Sequence, residues 1–138
     1  MKAETFVKKY DRRVLEDAGT CNSQEFIAFA ENFRSVVKEV AKKIGAELVS
    51  FSVGHYFFSG FVSRDGKFVY FSYDLPRHMT LDLSRSDSWQ GILVRTAKHP
   101  KDYTGGSNRF CNIMQMEKLV DQLVRLRKTR LVPGLFLR

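Results

Sequence analysis

The dipeptide Asp65-Gly66 separates two stretches of alternating apolar and polar residues, and it constrains the fold more than any other feature of the chain. A two-residue I′ turn needs positive φ at both of its residues, and Asp-Gly adopts that conformation at little cost. The turn therefore fixes the register of the two strands that flank it. Pairing outward from it predicts the pairs Arg64 with Lys67, Val62 with Val69, Gly60 with Phe71, and Phe58 with Tyr73.

Gly54-His55 is a second candidate turn, one strand earlier. As a two-residue turn it places Phe51 opposite Phe58 and Val49 opposite Gly60, and the two turns then agree on which side chains share a face. We therefore predict a three-stranded antiparallel meander over residues 47–74. One face of it is apolar and must be covered; it carries Val49, Phe51, Val53, Phe58, Val62, Val69, Phe71 and Tyr73.

The other face of the predicted meander alternates serines with large rings, and three interpretations of it remain open. A helix or the C-terminal tail covers it, or it is a stacking platform for single-stranded nucleic acid, or it binds a protein through aromatic anchors and a basic rim. Net charge does not separate the last two. The face carries Leu48, Ser50, Ser52, Phe57, Ser59, Phe61, Ser63, Phe68, Tyr70 and Ser72.

Helical spacing of apolar residues predicts three helices. The first covers residues 3–17. The second begins after the N-cap Ser23 and ends at Gly45, and its phenylalanine stripe is expected to cover the apolar face of the meander. The third is capped by Asn112, with Gln115 completing a capping box.

Residues 78–84 suggest a short extended piece, residues 91–97 a further strand, and residues 98–109 a loop. The whole pattern predicts an α+β fold, in which an antiparallel meander sheet of three to five strands is accompanied by two N-terminal helices and one C-terminal helix. We expect a single domain over residues 1–138, with a basic and apolar tail at residues 128–138.

The net charge of +8 is unevenly distributed. Residues 1–47 hold nine Lys and Arg against eight Asp and Glu, whereas residues 48–138 hold fourteen against seven. This asymmetry favours an acidic partner, either nucleic acid or an acidic protein surface, although a basic excess also serves solubility. No stretch resembles a signal peptide or membrane span, so a cytoplasmic location is expected, with Cys21 and Cys111 as free thiols.

No pattern typical of a catalytic, metal or cofactor site occurs around the histidines or serines, and we expect neither enzymatic activity nor a cofactor. Gly105-Gly106 precedes a helix in a segment that also contains Lys98, Lys101 and Arg109. Backbone amides at such glycines form an anion nest in some proteins and an ordinary turn in others. Both interpretations stay open for this segment.

The candidate partner-binding residues are the rings of the serine-containing face and the cations near or after the sheet. They are Phe57, Phe61, Phe68, Tyr70, Arg64, Lys67, Arg95, Lys98, Lys101, Arg109, Arg125, Arg127, Lys128 and Arg130.

Several phrases of the chain resemble small uncharacterised proteins of conjugative elements and prophages of Gram-positive gut bacteria. These phrases are TFVKKYDRRVLEDAGTC, KKIGAELVSFSVGHY, FFSGFVSRDGKFVYFSY and RTAKHPKDYTGGSN. The resemblance extends to about Leu123, and the tail after Arg125 has no counterpart in it. Such elements encode inhibitors of host defence, including anti-CRISPR proteins. The resemblance thus implies a context and carries over no site residues.

The order helix, three-stranded meander, helix also resembles the double-stranded RNA-binding domain in topology. That family places a lysine cluster at the start of its last helix. The corresponding residues here read NIMQME, from Asn112 to Glu117, so this alternative is disfavoured.

Together these features predict a non-catalytic binding protein of a mobile genetic element, an inhibitor of a host defence nuclease of the anti-CRISPR type. The partner would be the nuclease ribonucleoprotein. The alternative is a basic nucleic-acid-binding domain that uses the aromatic sheet face and the basic tail. The sequence predicts no oligomeric state.

Overall fold

The computed structural model describes residues 1–10, 13–14, 24–54, 57–74, 80–81, 92–104 and 106–125. These residues form three α-helices, namely α1 (Ala3–Tyr10), α2 (Gln24–Lys43) and α3 (Met116–Arg125). Their strands are β1 (Arg13–Val14), β2 (Glu47–Val53), β3 (Phe57–Arg64), β4 (Lys67–Asp74), β5 (Thr80–Leu81), β6 (Ile92–Ala97) and β7 (Arg109–Cys111).

Five of the strands form one antiparallel sheet in the order β2-β3-β4-β6-β7, and the short strands β1 and β5 pair separately. The predicted α+β class, with two N-terminal helices and one C-terminal helix, is confirmed. The first helix is shorter than predicted, since it ends at Tyr10 and Val14 already belongs to strand β1, where it pairs with Thr80. Ser23, Cys21 and the tail at residues 128–138 lie outside the described residues.

The β3–β4 hairpin has the predicted turn and register. Asp65 and Gly66 have φ angles of 53° and 78°, as a I′ turn requires. The pairs run from Arg64 with Lys67 to Phe58 with Tyr73. A local signal was therefore sufficient to align two eight-residue strands.

The predicted turn between β2 and β3 was wrong. Val53 pairs with Phe58 and not with Tyr56, and the N–H of Gly54 donates to the C=O of Phe57 at 3.0 Å, so the register differs from the one that a Gly54-His55 turn would set. A register shift between Leu48 and Ser50 leaves Val49 as the extra residue of a bulge. As a result Val49 is exposed and Leu48 packs against the core, which reverses the predicted faces of both residues.

Gly60 explains why this register is favoured. The residue lies opposite Phe51, and a Cβ atom built on it would overlap the C=O of Ser50 and approach the Phe71 ring within 2.8 Å. Only glycine allows the bulged strand and this ring to come so close.

The core lies between the helices and the apolar face of the sheet, as predicted. Phe33 of α2 lies against three rings of the sheet, with centroid distances of 6.3 Å to Phe51, 5.6 Å to Phe58 and 5.2 Å to Tyr73. Behind α2, Phe6 of α1 packs on Phe29 and Phe33. Helix α3 joins the same core through Met116, Val120, Leu123 and Val124.

Two of the three predicted helix caps lie within the described residues, and both are present. At the end of α2, the N–H groups of Gly45 and Ala46 donate to the carbonyls of Lys42 and Ala41 at 3.2 and 2.8 Å, which is a Schellman motif. Before α3, the side chains of Asn112 and Gln115 form a reciprocal capping box around a short 3₁₀ turn.

Strand β7 was not predicted. Its first residue, Arg109, was assigned to a loop and the other two to no element, and it becomes a strand because it pairs with β6, with Leu93 opposite Phe110. Within the described ranges, no helix combines the length and apolarity that crossing a bilayer requires.

Replacing Gly60 by Ala should lower the free energy of unfolding by about 1–3 kcal/mol, because the new methyl group overlaps backbone and ring atoms. Denaturant titration followed by circular dichroism measures this change. The matched control is Gly66→Asn, at a turn position with open space around it, where asparagine accepts a positive φ and the loss should stay below about 1 kcal/mol. Equal losses in the two variants would refute the close approach at Gly60.

Burial raises the pKa of the Cys111 thiol from 9.0 to about 12. Between these pH values the unfolded chain releases this proton while the folded chain keeps it, so unfolding becomes more favourable as pH rises. We expect Cys111 to lower the free energy of unfolding by up to about 1.4 kcal/mol per pH unit in that window.

Denaturation at several pH values from 8 upward, in parallel with Cys111→Ala, isolates this contribution, because every other pH-dependent contribution is common to the two proteins. The slope for the variant should be shallower by the stated amount. Parallel slopes would mean that the thiol is not shielded from water.

Candidate partner-binding face

The second face of the sheet is the candidate site. All three described helices bury their apolar sides in the core on the opposite face, so within the described ranges no helix packs on this one. Strand pairing extends the predicted face across β6 and β7. We call it the serine–aromatic face; it carries Glu47, Ser50, Ser52, Phe57, Ser59, Phe61, Ser63, Phe68, Tyr70, Ser72, Leu93, Arg95, Ala97 and Phe110.

Three rings form a cluster in the middle of this face. Phe61 and Tyr70 are cross-strand neighbours with centroids 5.2 Å apart, and the Tyr103 ring forms T-shaped contacts with them at centroid distances of 5.4 and 5.8 Å. Phe61 is only 1% exposed, whereas Tyr103 is 61% exposed. Tyr103 therefore contacts the sheet with one part of its ring and offers the rest to solvent.

Arg95 packs against this cluster through the ring of Tyr70. It lies opposite Tyr70 on the neighbouring strand, with its guanidinium carbon 4.5 Å from the centre of that ring. The guanidinium donates to the C=O groups of Asp102 at 2.9 Å and Thr96 at 3.3 Å, and Arg95 is only 3% exposed. This cation thus links the sheet to the loop that carries Tyr103.

The buried carboxylate of Asp102 organises that loop. Its two oxygens accept the N–H groups of Lys98 at 2.9 Å and Thr104 at 3.2 Å, and its own N–H donates to the C=O of His99 at 3.1 Å. These bonds close residues 98–104 into a tight turn. Tyr103 is consequently displayed in a defined position, and little conformational entropy remains to be lost when it binds a partner.

Gly106, which follows this loop, lies close against strand β6. Its φ is 75°, and a Cβ atom there would overlap the C=O of Thr96. The Thr104 amide is already occupied by Asp102. The glycine therefore has a packing role on β6, which is the ordinary-turn interpretation; Gly105 lies outside the described residues.

The exposed cations on the two sides of the molecule differ in their environment. Among the described residues, no carboxylate lies within ion-pair distance of Lys98 or Lys101 in the loop that carries Tyr103, whereas several cations on the helix side have such a partner. The helix-side pairs are Arg34–Glu31, Lys43–Glu117, Arg64–Asp121 and Arg125–Asp121.

The structure brings five of the predicted partner-binding residues together at the Tyr103 loop. Phe61, Tyr70 and Arg95 support the loop from below, and Lys98 and Lys101 lie within it. Two of these assignments need correction, because Phe61 and Arg95 are buried under Tyr103 and the loop backbone and are not available for direct contact. They act by positioning Tyr103 instead.

Arg64 also needs correction, since it lies on the helix side of the sheet. Its guanidinium donates to the C=O of Ile44 at 2.9 Å and lies 3.5 Å from the Asp121 carboxylate. The same aspartate pairs with Arg125 at 3.1 Å. Arg64 therefore joins the end of α2 to α3.

The remaining predicted residues are dispersed. Phe57 is exposed at the start of β3, Phe68 is half-buried on the serine–aromatic face opposite Ala97, and Lys67 is exposed beside the β3–β4 turn. Arg109 is exposed on β7, where its pairing with the core residue Val94 places it on the helix side of the sheet. Arg125 ends α3 and pairs with Asp121, and Arg127, Lys128 and Arg130 lie outside the described residues.

Two exposed rings were missed by the sequence analysis, namely Tyr103 and Phe110, which is 64% exposed. The position of Phe110 depends on a strand that no alternation indicated. The sequence did contain a signal for Tyr103. The preceding residue, Asp102, comes shortly after strand β6, and an aspartate in such a position can accept the backbone N–H groups of a turn, as Asp102 does from Lys98.

The described part of the chain contains no group of three or more His, Cys, Asp and Glu residues that could hold a metal ion. Comparison with protein-family models, with curated proteins and with solved structures finds no match for the chain. Functional assignment consequently depends on the chemistry of the residues themselves.

Replacing Asp102 by Ala should leave two loop amides without their acceptor and lower the free energy of unfolding by about 1–3 kcal/mol. The amides of Lys98 and Thr104 should exchange with solvent faster, and the nuclear Overhauser contacts of Tyr103 with Phe61 and Tyr70 should weaken. NMR and denaturant titration measure these effects.

Asp65→Asn serves as the matched control, because Asp65 is an exposed turn aspartate with a positive φ that asparagine tolerates. It should leave both the loop and the stability nearly unchanged. Intact ring contacts in Asp102→Ala would show that the carboxylate does not hold the loop.

Proposed function

We propose that this protein is a non-catalytic binding protein of a mobile genetic element and that it inhibits a host defence nuclease in the manner of anti-CRISPR proteins. The observation that supports the binding role most directly is the exposed Tyr103, held above the serine–aromatic face by Asp102 and Arg95. Tyrosine in a rigid setting is typical of the residues that dominate protein interfaces. The mobile-element context comes from the sequence resemblance alone.

The ring geometry favours a protein partner over a base-stacking platform. Stacking requires accessible ring faces, and the two rings on the central strands do not offer them. Phe61 is buried, and Tyr70 has the Arg95 guanidinium 4.5 Å from its ring centre and the Tyr103 ring 5.8 Å away. The exposed rings Phe57, Tyr103 and Phe110 lie on separate elements and form no continuous stack.

The inhibitor would act by occupying the surface of the nuclease that its substrate needs. The net charge of +8 favours fast association with an acidic region of a guide-RNA-loaded effector. Its action would take place in the cytoplasm, where such effectors meet invading DNA.

A direct nucleic-acid-binding domain is the second candidate. The unpaired cations Lys98, Lys101 and Arg109 support it, because phosphates would neutralise them. Its affinity should fall steeply with rising salt, as counterion release demands. An absence of any electrophoretic shift with DNA or RNA at low salt would eliminate this candidate.

A cleavage assay tests the leading proposal. A panel of guide-loaded effector nucleases from Gram-positive bacteria is mixed with the protein before the target DNA is added. At least one member should be inhibited, and Tyr103→Ala should raise the half-inhibitory concentration about ten-fold or more, as loss of an interface hot spot does.

Ile27→Ala, which truncates an exposed apolar residue on helix α2, is the control and should inhibit as well as the unmodified protein. Complete cleavage by every member of the panel at excess protein would refute the proposal.

A further inference from the structure

We infer that the surface formed by Lys98, Lys101 and Tyr103 recognises an acidic segment of a protein, with Tyr103 as the central anchor. We call it the Tyr103 surface. The inference rests on the proposed function, since it names the chemistry of the partner at the same site.

The exposed charge of the stretch that forms this surface is positive. Among the described residues from Ile92 to Met116 the only carboxylate is that of Asp102, and both of its oxygens accept loop amides in the interior. The exposed charges of this stretch are therefore all cationic. An acidic ligand would gain ion pairs there without displacing a carboxylate of the protein itself.

The guanidinium of Arg95 is not free to bind a phosphate, because it already donates to backbone carbonyls. Bidentate recognition of phosphate needs the free fork of a guanidinium, and the fork of Arg95 is bonded to the carbonyls of Asp102 and Thr96. Lys98 and Lys101 act as point charges, which suit the scattered carboxylates of a peptide. A single rigid tyrosine among such charges matches an acidic segment that also carries an apolar residue.

Peptide selection tests this inference and also reveals which residues the surface prefers in its ligand. A random peptide library is displayed against the immobilised full chain and counter-selected on the Lys98→Glu/Lys101→Glu variant. The enriched sequences should contain Asp or Glu beside an apolar residue. A synthetic enriched peptide, labelled with a fluorophore, is then titrated with the protein and its variants by fluorescence anisotropy.

Tyr103→Ala and the double charge variant should each weaken binding of the peptide about ten-fold or more. Ile27→Ala should bind normally, and replacing the acids of the peptide by Asn or Gln should abolish binding. Circular dichroism and thermal unfolding establish that the variants are folded, and Tyr103→Phe, which keeps the ring, should retain most of the affinity.

The inference is overturned if selection yields no peptide, if the enriched peptides lack acidic residues, or if Tyr103→Ala binds them equally well. It is also overturned if oligothymidylate binds the surface more tightly than the peptides and depends on Tyr103, because the ligand would then be nucleic acid.

The outcome is separable from that of the cleavage assay. Acidic peptides that bind through Tyr103, together with full cleavage by every nuclease, would leave the inference standing and refute the inhibitory function. Inhibition that depends on Tyr103, together with peptides that lack acids, would do the reverse.

Discussion

The contact between helix α2 and the apolar face of the sheet determines which side of the sheet is available for binding. Phe33 lies against the rings of Phe58 and Tyr73, and α1 and α3 extend the same core. Because side chains alternate between faces along a strand, covering one face assigns every other residue to the opposite side. The serine–aromatic face is therefore a consequence of how the core is closed.

The face of the sheet on which an arginine lies also decides which groups its guanidinium contacts. Arg64 stands at the end of β3 on the covered face, where it meets the last turn of α2 and the Asp121 carboxylate of α3. Arg95 stands on β6 on the other face, where no described helix is present to provide a carboxylate. Two arginines that look alike in the sequence thus become a bridge between helices in one case and the support of a loop in the other.

The range of the interactions explains how much could be predicted. The β3–β4 register follows from Asp65-Gly66 alone, and the caps of α2 and α3 follow from residues a few positions apart. The β2 register depends instead on the fit of Gly60 against Ser50 and Phe71, which lie on two other strands. Likewise the position of Tyr103 depends on bonds from Arg95 and on rings of β3 and β4, so periodicity could not reveal it.

The burial of Arg95 connects the architecture of the loop with the proposed chemistry of its partner. A buried guanidinium is costly unless its charge is compensated, and here compensation comes from the Tyr70 ring and two backbone carbonyls. These groups solvate the cation but do not cancel its charge, as a carboxylate would. Arg95 therefore stabilises the loop and still contributes to the positive potential around Tyr103, which is the property that an acidic partner requires.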